Sequence, residues 1–128
     1  MSEYLPFWPK AAAGAFIATN PGTASVYSRA LPTNGFTEVV VQMEIDAAFG
    51  ADGSTKIDVI PQISNDGVNW KDLTSGLSIN AIGTFPKEDT EKFTDIGAFM
   101  RMKMLFTNED GINTRVFATL LVSATGRS

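Results

Sequence analysis

The sequence predicts an all-β chain: an antiparallel β-sandwich, jelly-roll-like, of about eight strands, preceded by an extended N-terminal arm. Three observations carry this. Apolar and polar residues alternate with period two over most of the chain after residue 36, the pattern of half-buried strands. Asp-Gly pairs stand at regular turn positions, in GADG at 50–53, SNDG at 64–67 and NEDG at 108–111, where glycine accepts a positive φ without steric cost. No long helical window survives, because the 11 glycines and 6 prolines interrupt each one and the best, residues 10–18, is short. The 128 residues suit one domain and bury about two-thirds of the unfolded chain's surface, enough for a core without metal or disulfide. The reading divides the chain into an arm over 1–13 and a single sandwich over 14–128.

The arm carries Tyr4, Leu5, Phe7 and Trp8 around Pro6 and Pro9. Proline removes donors and favours an extended path. Such an arm either folds back over its own sheet or docks on a neighbouring subunit. Its start has no basic segment ahead of an apolar run, so it does not read as a secretory signal.

Strands follow in order. GAFIAT and ASVYSRAL are short candidates. In FTEVVVQMEIDAAF, Val39, Val41, Met43, Ile45 and Ala47 share one face, and Glu38, Gln42, Glu44 and Asp46 the other. In KIDVIPQIS, Ile57, Val59 and Ile63 alternate with Lys56, Asp58 and Gln62. Pro61 in that run signals an edge strand or a bulge. GLSINAI and EKFTDI are short. In AFMRMKMLF, Met100, Met102, Met104 and Phe106 oppose Arg101 and Lys103, and in NTRVFATLLVSA, Val116, Ala118, Leu120 and Val122 alternate with Arg115, Thr119 and Ser123. The methionine row reads as core, with Arg101 and Lys103 facing a partner or solvent. Val40 and Ile60 fall on nominally outward faces, which asks for a cover or a subunit contact there.

Facing suggests hairpin registers. A loop of Ala51, Asp52 and Gly53 pairs Ala47 with Ile57 and Ile45 with Val59. A loop of Glu109, Asp110 and Gly111 pairs Phe106 with Thr114, Met104 with Val116 and Met102 with Ala118. Both fit a type I turn with a glycine bulge. In QISNDGVNWKDL, a three-residue loop pairs Gln62 with Trp70 on the polar face, whereas a two-residue loop pairs Ile63 with Trp70 in the core. The area a tryptophan buries favours the core side.

Chemistry is sparse. The chain has no cysteine and no histidine, which removes thiol nucleophiles, Ser-His-Asp triads and the commonest transition-metal ligands. A net charge of −4 with scattered Lys and Arg argues against nucleic acid and anionic membranes, and no apolar run reaches membrane-spanning length. The first hairpin register sets Asp46 opposite Asp58 with Glu44 nearby. A hard cation such as Ca²⁺ would relieve that repulsion, but a solvated acidic face accounts for it without one. The expectation is no enzyme, no cofactor and no metal.

The stretches VIPQISNDGVNWKDL, IGAFMRMKMLFTNEDG and RVFATLLVSATG resemble small β-sandwich structural proteins of tailed-bacteriophage virions, of the head-decoration (cement) or tail-accessory kind. The SNDGxNW hairpin is also similar to one in galactose-binding-like jelly rolls, including carbohydrate-binding modules. The phage resemblance implies a non-enzymatic assembly role in the virion, put together in the host cytoplasm as a homo-oligomer contacting other virion proteins such as the major capsid protein. The interface candidates are Tyr4, Phe7, Trp8, Arg101 and Lys103. The alternative is a glycan-binding jelly-roll module using Asn69, Trp70 and Asp72.

Overall fold

The computed structural model describes residues 2–7, 14–19, 22–49, 56–73, 76–80, 86–108 and 115–128. Among these the chain forms eleven strands and no helix. They are β1 (Ser2–Tyr4), β2 (Gly14–Thr19), β3 (Gly22–Tyr27), β4 (Leu31–Pro32), β5 (Glu38–Phe49), β6 (Lys56–Ser64), β7 (Lys71–Asp72), β8 (Leu77–Asn80), β9 (Lys87–Phe93), β10 (Phe99–Asn108) and β11 (Arg115–Arg127).

The strands occupy eight lanes in two antiparallel sheets. In the first sheet β9 pairs with β5 and β5 with β11, and the far side of β11 is shared by β1 and β2. In the second, β6 pairs with β10. The far side of β10 is shared by β3 and β4, and the far side of β6 by β7 and β8.

The inner faces supply the core. Val39, Val41, Met43 and Ile45 of β5, with Val122, Ala124 and Phe93, face Ile57, Val59, Leu77, Ile79 and the row Met100, Met102 and Met104. The methionine row is fully buried. Alternation set these faces because the side-chain period of a strand is two.

The N-terminal segment belongs to this sandwich. Residues 2–4 pair with β11 at Ser2–Arg127, Glu3–Gly126 and Tyr4–Thr125, and Leu5 N–H donates to the Ala124 carbonyl at 2.9 Å. Leu5 and Phe7 are buried in the core. Phe7, 1% exposed, therefore has no face to offer a neighbouring subunit. Of the two uses of the arm, folding back is what residues 2–7 do. Trp8 and the rest of the arm to residue 13 lie outside the described residues.

Two expected hairpins are not hairpins. β5 lies in the first sheet and β6 in the second, so Ala47 pairs with Thr119 and Ile45 with Leu120, while Ile57 pairs with Phe106 and Val59 with Met104. Likewise β10 and β11 lie in different sheets, and Val116 pairs with Ala18. The connections through 50–55 and 109–114, with their Asp-Gly pairs, are outside the described residues, but each joins a strand of one sheet to a strand of the other. The apolar faces matched because both inner faces look into the same core. The pairing of β5 with β11 shifts between Thr119 and Leu120, leaving Asp46 as the extra residue of a bulge.

Pro61 is not on an edge strand, since β6 has neighbours on both sides. Its carbonyl accepts from Leu73 N–H at 2.9 Å, so its donorless nitrogen faces the same side, where β7 has ended and β8 has not begun. A proline is tolerated there because the lane is interrupted. On the edge strand β9, Lys87, Asp89 and Glu91 fall opposite the inward residues Ile45, Met43 and Val41. Asp89 also accepts from Ser78 N–H of β8 at 3.1 Å, which ties the two sheets together. Inward charges on an edge discourage pairing with another chain.

Candidate functional site

The site begins at the turn in SNDGVNW. Ser64 is buried at the end of β6, and its hydroxyl accepts from Gly67 N–H at 2.9 Å and Asp66 N–H at 3.2 Å. That hydroxyl donates to Asp66 Oδ1 at 2.9 Å. Asp66 accepts in addition from the N–H groups of Val68 and Asn69, each at 2.8 Å, and from Asn69 Nδ2 at 2.8 Å. These donors, led by Asn69 and Val68 N–H, hold the Asp66 carboxyl well below the usual carboxylate range. Gly67 takes φ 75°, the conformation that glycine adopts freely.

This network sets the loop at five residues, 65–69. The ladder then pairs Ile63 with Lys71 and Gln62 with Asp72, one step from the two-residue-loop register and two from the three-residue one. Trp70 accordingly falls on the outer face of the second sheet, half-buried, and not in the core.

What holds Trp70 there is Arg101. Its guanidinium lies 4.4 Å from the Trp70 ring centroid and 4.6 Å from that of Tyr27. Arg101 is on β10 directly opposite Gln62 of β6, and its Nε donates to Gln62 Oε1 at 2.6 Å. Gln62 is buried, 6% exposed, and its Nε2 donates to Asp72 Oδ1 at 2.5 Å. Lys103 closes the row, with Nζ 3.4 Å from Asp72 Oδ2. The Gln62 donor, followed by Lys103 and Arg101, outweighs burial and lowers the Asp72 pKa. The result is an ordered strip of Tyr27, Arg101, Trp70, Gln62, Asp72 and Lys103. Among the described residues no carboxylate forms an ion pair with Arg101, and its one side-chain hydrogen bond is the one from Nε.

The structure thus brings Arg101 and Lys103 together with Trp70 and Asp72, although the sequence pattern assigns the two pairs to rival functions. Asn69 sits in the turn, where its Nδ2 donates to Asp66, and one ring face of Trp70 is covered by Arg101. Tyr4, 50% exposed, sits on the outer face of the first sheet, across the molecule. Tyr27 and Gln62 are the members that sequence reasoning misses. Tyr27 lies in a weakly patterned strand. Gln62 has the right parity, but no pattern announces a buried amide.

The acidic residues divide between opposite sides. Asp46 is on the first sheet and Asp58 on the second, so they do not face each other. Asp58 pairs with Lys56 at 3.9 Å. On the first sheet's outer face Glu44 stands directly opposite Glu88 with Asp46 beside it. Asp46, then burial, then Glu88 raise the Glu44 pKa. Gln42 Nε2 donates to Glu88 Oε2 at 3.2 Å. Among the described residues on that face, Lys92 and Arg127 bridge to Glu38 at 3.7 and 3.9 Å. Among the described residues no group of three or more acidic side chains is arranged to hold a metal ion.

No protein-family model matches the chain, and no curated protein matches it.

Proposed function

We propose that the chain is a non-enzymatic structural protein of a tailed-phage virion, acting in the manner of a decoration or cement protein. It joins the particle through repeated contacts with copies of itself and with other virion proteins such as the major capsid protein, and the outer face of the second sheet is its contact surface. It uses no nucleic acid and no membrane. The observation that carries this reading is the stack of Tyr27, Arg101 and Trp70. Tyrosine, tryptophan and arginine are the residues that dominate binding at protein interfaces. Here their rotamers are already fixed by stacking and by Gln62, which lowers the ordering cost of association. Modest contacts repeated over a lattice then sum through avidity.

A jelly-roll winding is part of the proposal. Numbering β2, β3, β5, β6, β8, β9, β10 and β11 from one to eight gives sheet orders 1-8-3-6 and 2-7-4-5, the pattern of two interlocked Greek keys. That scaffold leaves two broad outer faces that present cross-strand rows.

The test is the composition of particles. Particles from a lysate of the source host are banded by density and their peptides quantified. The proposal expects many copies of this chain per particle. Recovery of the chain only as free protein, with none in the banded particles, overturns it.

A further inference from the structure

The two outer faces of the sandwich differ in charge. The first sheet carries Glu44 directly opposite Glu88, with the exposed Asp46 next to them and no cation in contact among the described residues. Like charges placed directly across a ladder destabilise it unless something neutralises them. The second sheet carries Arg101 with no ion-pair partner among the described residues, its plane fixed between Tyr27 and Trp70 and its Nε engaged by Gln62. The end of the guanidinium that remains is the two-nitrogen fork that receives a carboxylate in bidentate fashion.

We propose that copies of this chain stack head to tail, the Tyr27–Arg101–Trp70 strip of one docking on the Glu44–Asp46–Glu88 ridge of the next. The inference rests on the reading above for its contact face and names the occupant of that face as a second copy.

Size supports a second copy as a weak, repeated partner. A face nine residues long and four lanes wide measures about 30 Å by 19 Å. Two such faces bury about 1,100 Å² together, just above the area a specific interface needs. A contact between unlike faces is heterologous, so it propagates into a ring or an open stack and does not stop at a dimer. The arginine–carboxylate contact also strengthens as the rings and a second sheet exclude water.

Two variants test this by complementation. Arg101→Ala removes the cation and leaves the ridge intact. Glu44→Gln with Asp46→Asn and Glu88→Gln removes the charge of the ridge and leaves the cationic face intact. Circular dichroism checks that each is folded, and analytical ultracentrifugation reads the mass. The unaltered chain is expected to grow in mass with concentration and to lose mass with added salt. Each variant alone is expected to associate at least tenfold more weakly. An equimolar mixture of the two is expected to give one-to-one dimers and nothing larger, because only one intact pair of faces remains. A mixture that stays monomeric overturns the stacking contact, as does an unaltered chain that stays monomeric into the millimolar range. If the chain is nevertheless abundant in banded particles, the virion reading stands and only the self-contact falls. If the variants complement as dimers but the chain is absent from particles, the self-contact stands and the virion reading falls.

Discussion

Engineered cross-links separate the observed sandwich from the hairpin pairing that the sequence suggests. The chain has no cysteine, so any thiol introduced is unambiguous. Gln42 of β5 and Thr90 of β9 are directly opposite each other and exposed. Such a pair places Cα atoms about 4.5–5.5 Å apart, within the range that a disulfide spans. Gln42→Cys with Thr90→Cys should therefore oxidise within one chain. The closed loop of about 49 residues gives a ceiling of about 4 kcal/mol from chain entropy, with about 2–4 kcal/mol typical. At about 2.1 cal/mol/K per residue the unfolding entropy of 128 residues is about 270 cal/mol/K, so the gain should raise Tm by about 7–15 °C. Asp46→Cys with Asp58→Cys is the contrasting pair. A hairpin joining β5 and β6 would set these residues face to face, whereas in the sandwich they sit on opposite outer faces. The sheets alone separate them by about 10 Å, beyond the roughly 7 Å limit. The assays are free-thiol titration, mobility without reductant, and calorimetry with and without reductant. Intramolecular oxidation of the 46–58 pair in the folded chain, with the 42–90 pair left reduced, would refute the two-sheet assignment.

Three further expectations concern the core, a close approach and the turn. Met102 is fully buried, so Met102→Ala should cost about 2–5 kcal/mol in urea denaturation, while Met102→Leu should cost less than about 1.5 kcal/mol; equal effects would remove the methionine row from the core. A Cβ on Gly97 would meet the Ser64 carbonyl oxygen at 2.8 Å, whereas one on Gly35 meets nothing within 4 Å. Gly97→Ala should thus destabilise by about 1–3 kcal/mol and Gly35→Ala should be near neutral, as read by thermal melts. The Asp66 pKa is depressed in the folded chain, so the folded state holds this proton less tightly than the unfolded one. Its contribution is present above the unfolded value of about 3.9 and lost as pH falls through the depressed folded value. The gap in urea midpoint between the natural chain and Asp66→Ala should narrow on acidification from neutral pH, and a gap that widens would contradict the hydrogen-bonded turn.

The faces were legible in the sequence and the neighbours were not. Period two assigns Val39, Val41, Met43 and Ile45 to one side of a strand without reference to the rest of the chain, and the structure buries all four. It cannot say whether Ile45 meets Val59 along a ladder or across the core, since the inner faces of both sheets satisfy the same rule. That ambiguity produced the two false hairpins. Phe7 illustrates a related limit. Its aromatic, proline-flanked context suits a docking arm, but whether a terminal segment finds its groove on its own sheet depends on β11 offering a free edge at Thr125–Arg127, which no local pattern encodes. For the outer strip, parity placed Arg101 and Lys103 correctly. Trp70 was misplaced because its register hung on loop length, and loop length hung on one carboxylate collecting donors from Ser64, Val68 and Asn69.

The magnitude of the stack also says where it acts. An arginine over an aromatic ring at an exposed site contributes about 0.5–1 kcal/mol, rising to about 2 kcal/mol or more when water is removed. With Tyr27 still 48% exposed, the two contacts add little to the stability of the isolated chain, small beside the cost of truncating one buried methionine. They are arranged nonetheless with some expense, since Gln62 is a buried amide that must keep both of its partners, Arg101 and Asp72, to avoid a desolvation penalty of about 1–3 kcal/mol. A polar joint of that kind is hard to account for as a stabiliser of the sandwich, because an apolar residue would fill the same position without the penalty. It is well suited to hold an arginine fork at a fixed angle on an open face. In the proposed stack, the contribution of the two ring contacts rises when a second surface covers the rings, excludes water and meets the fork with a carboxylate.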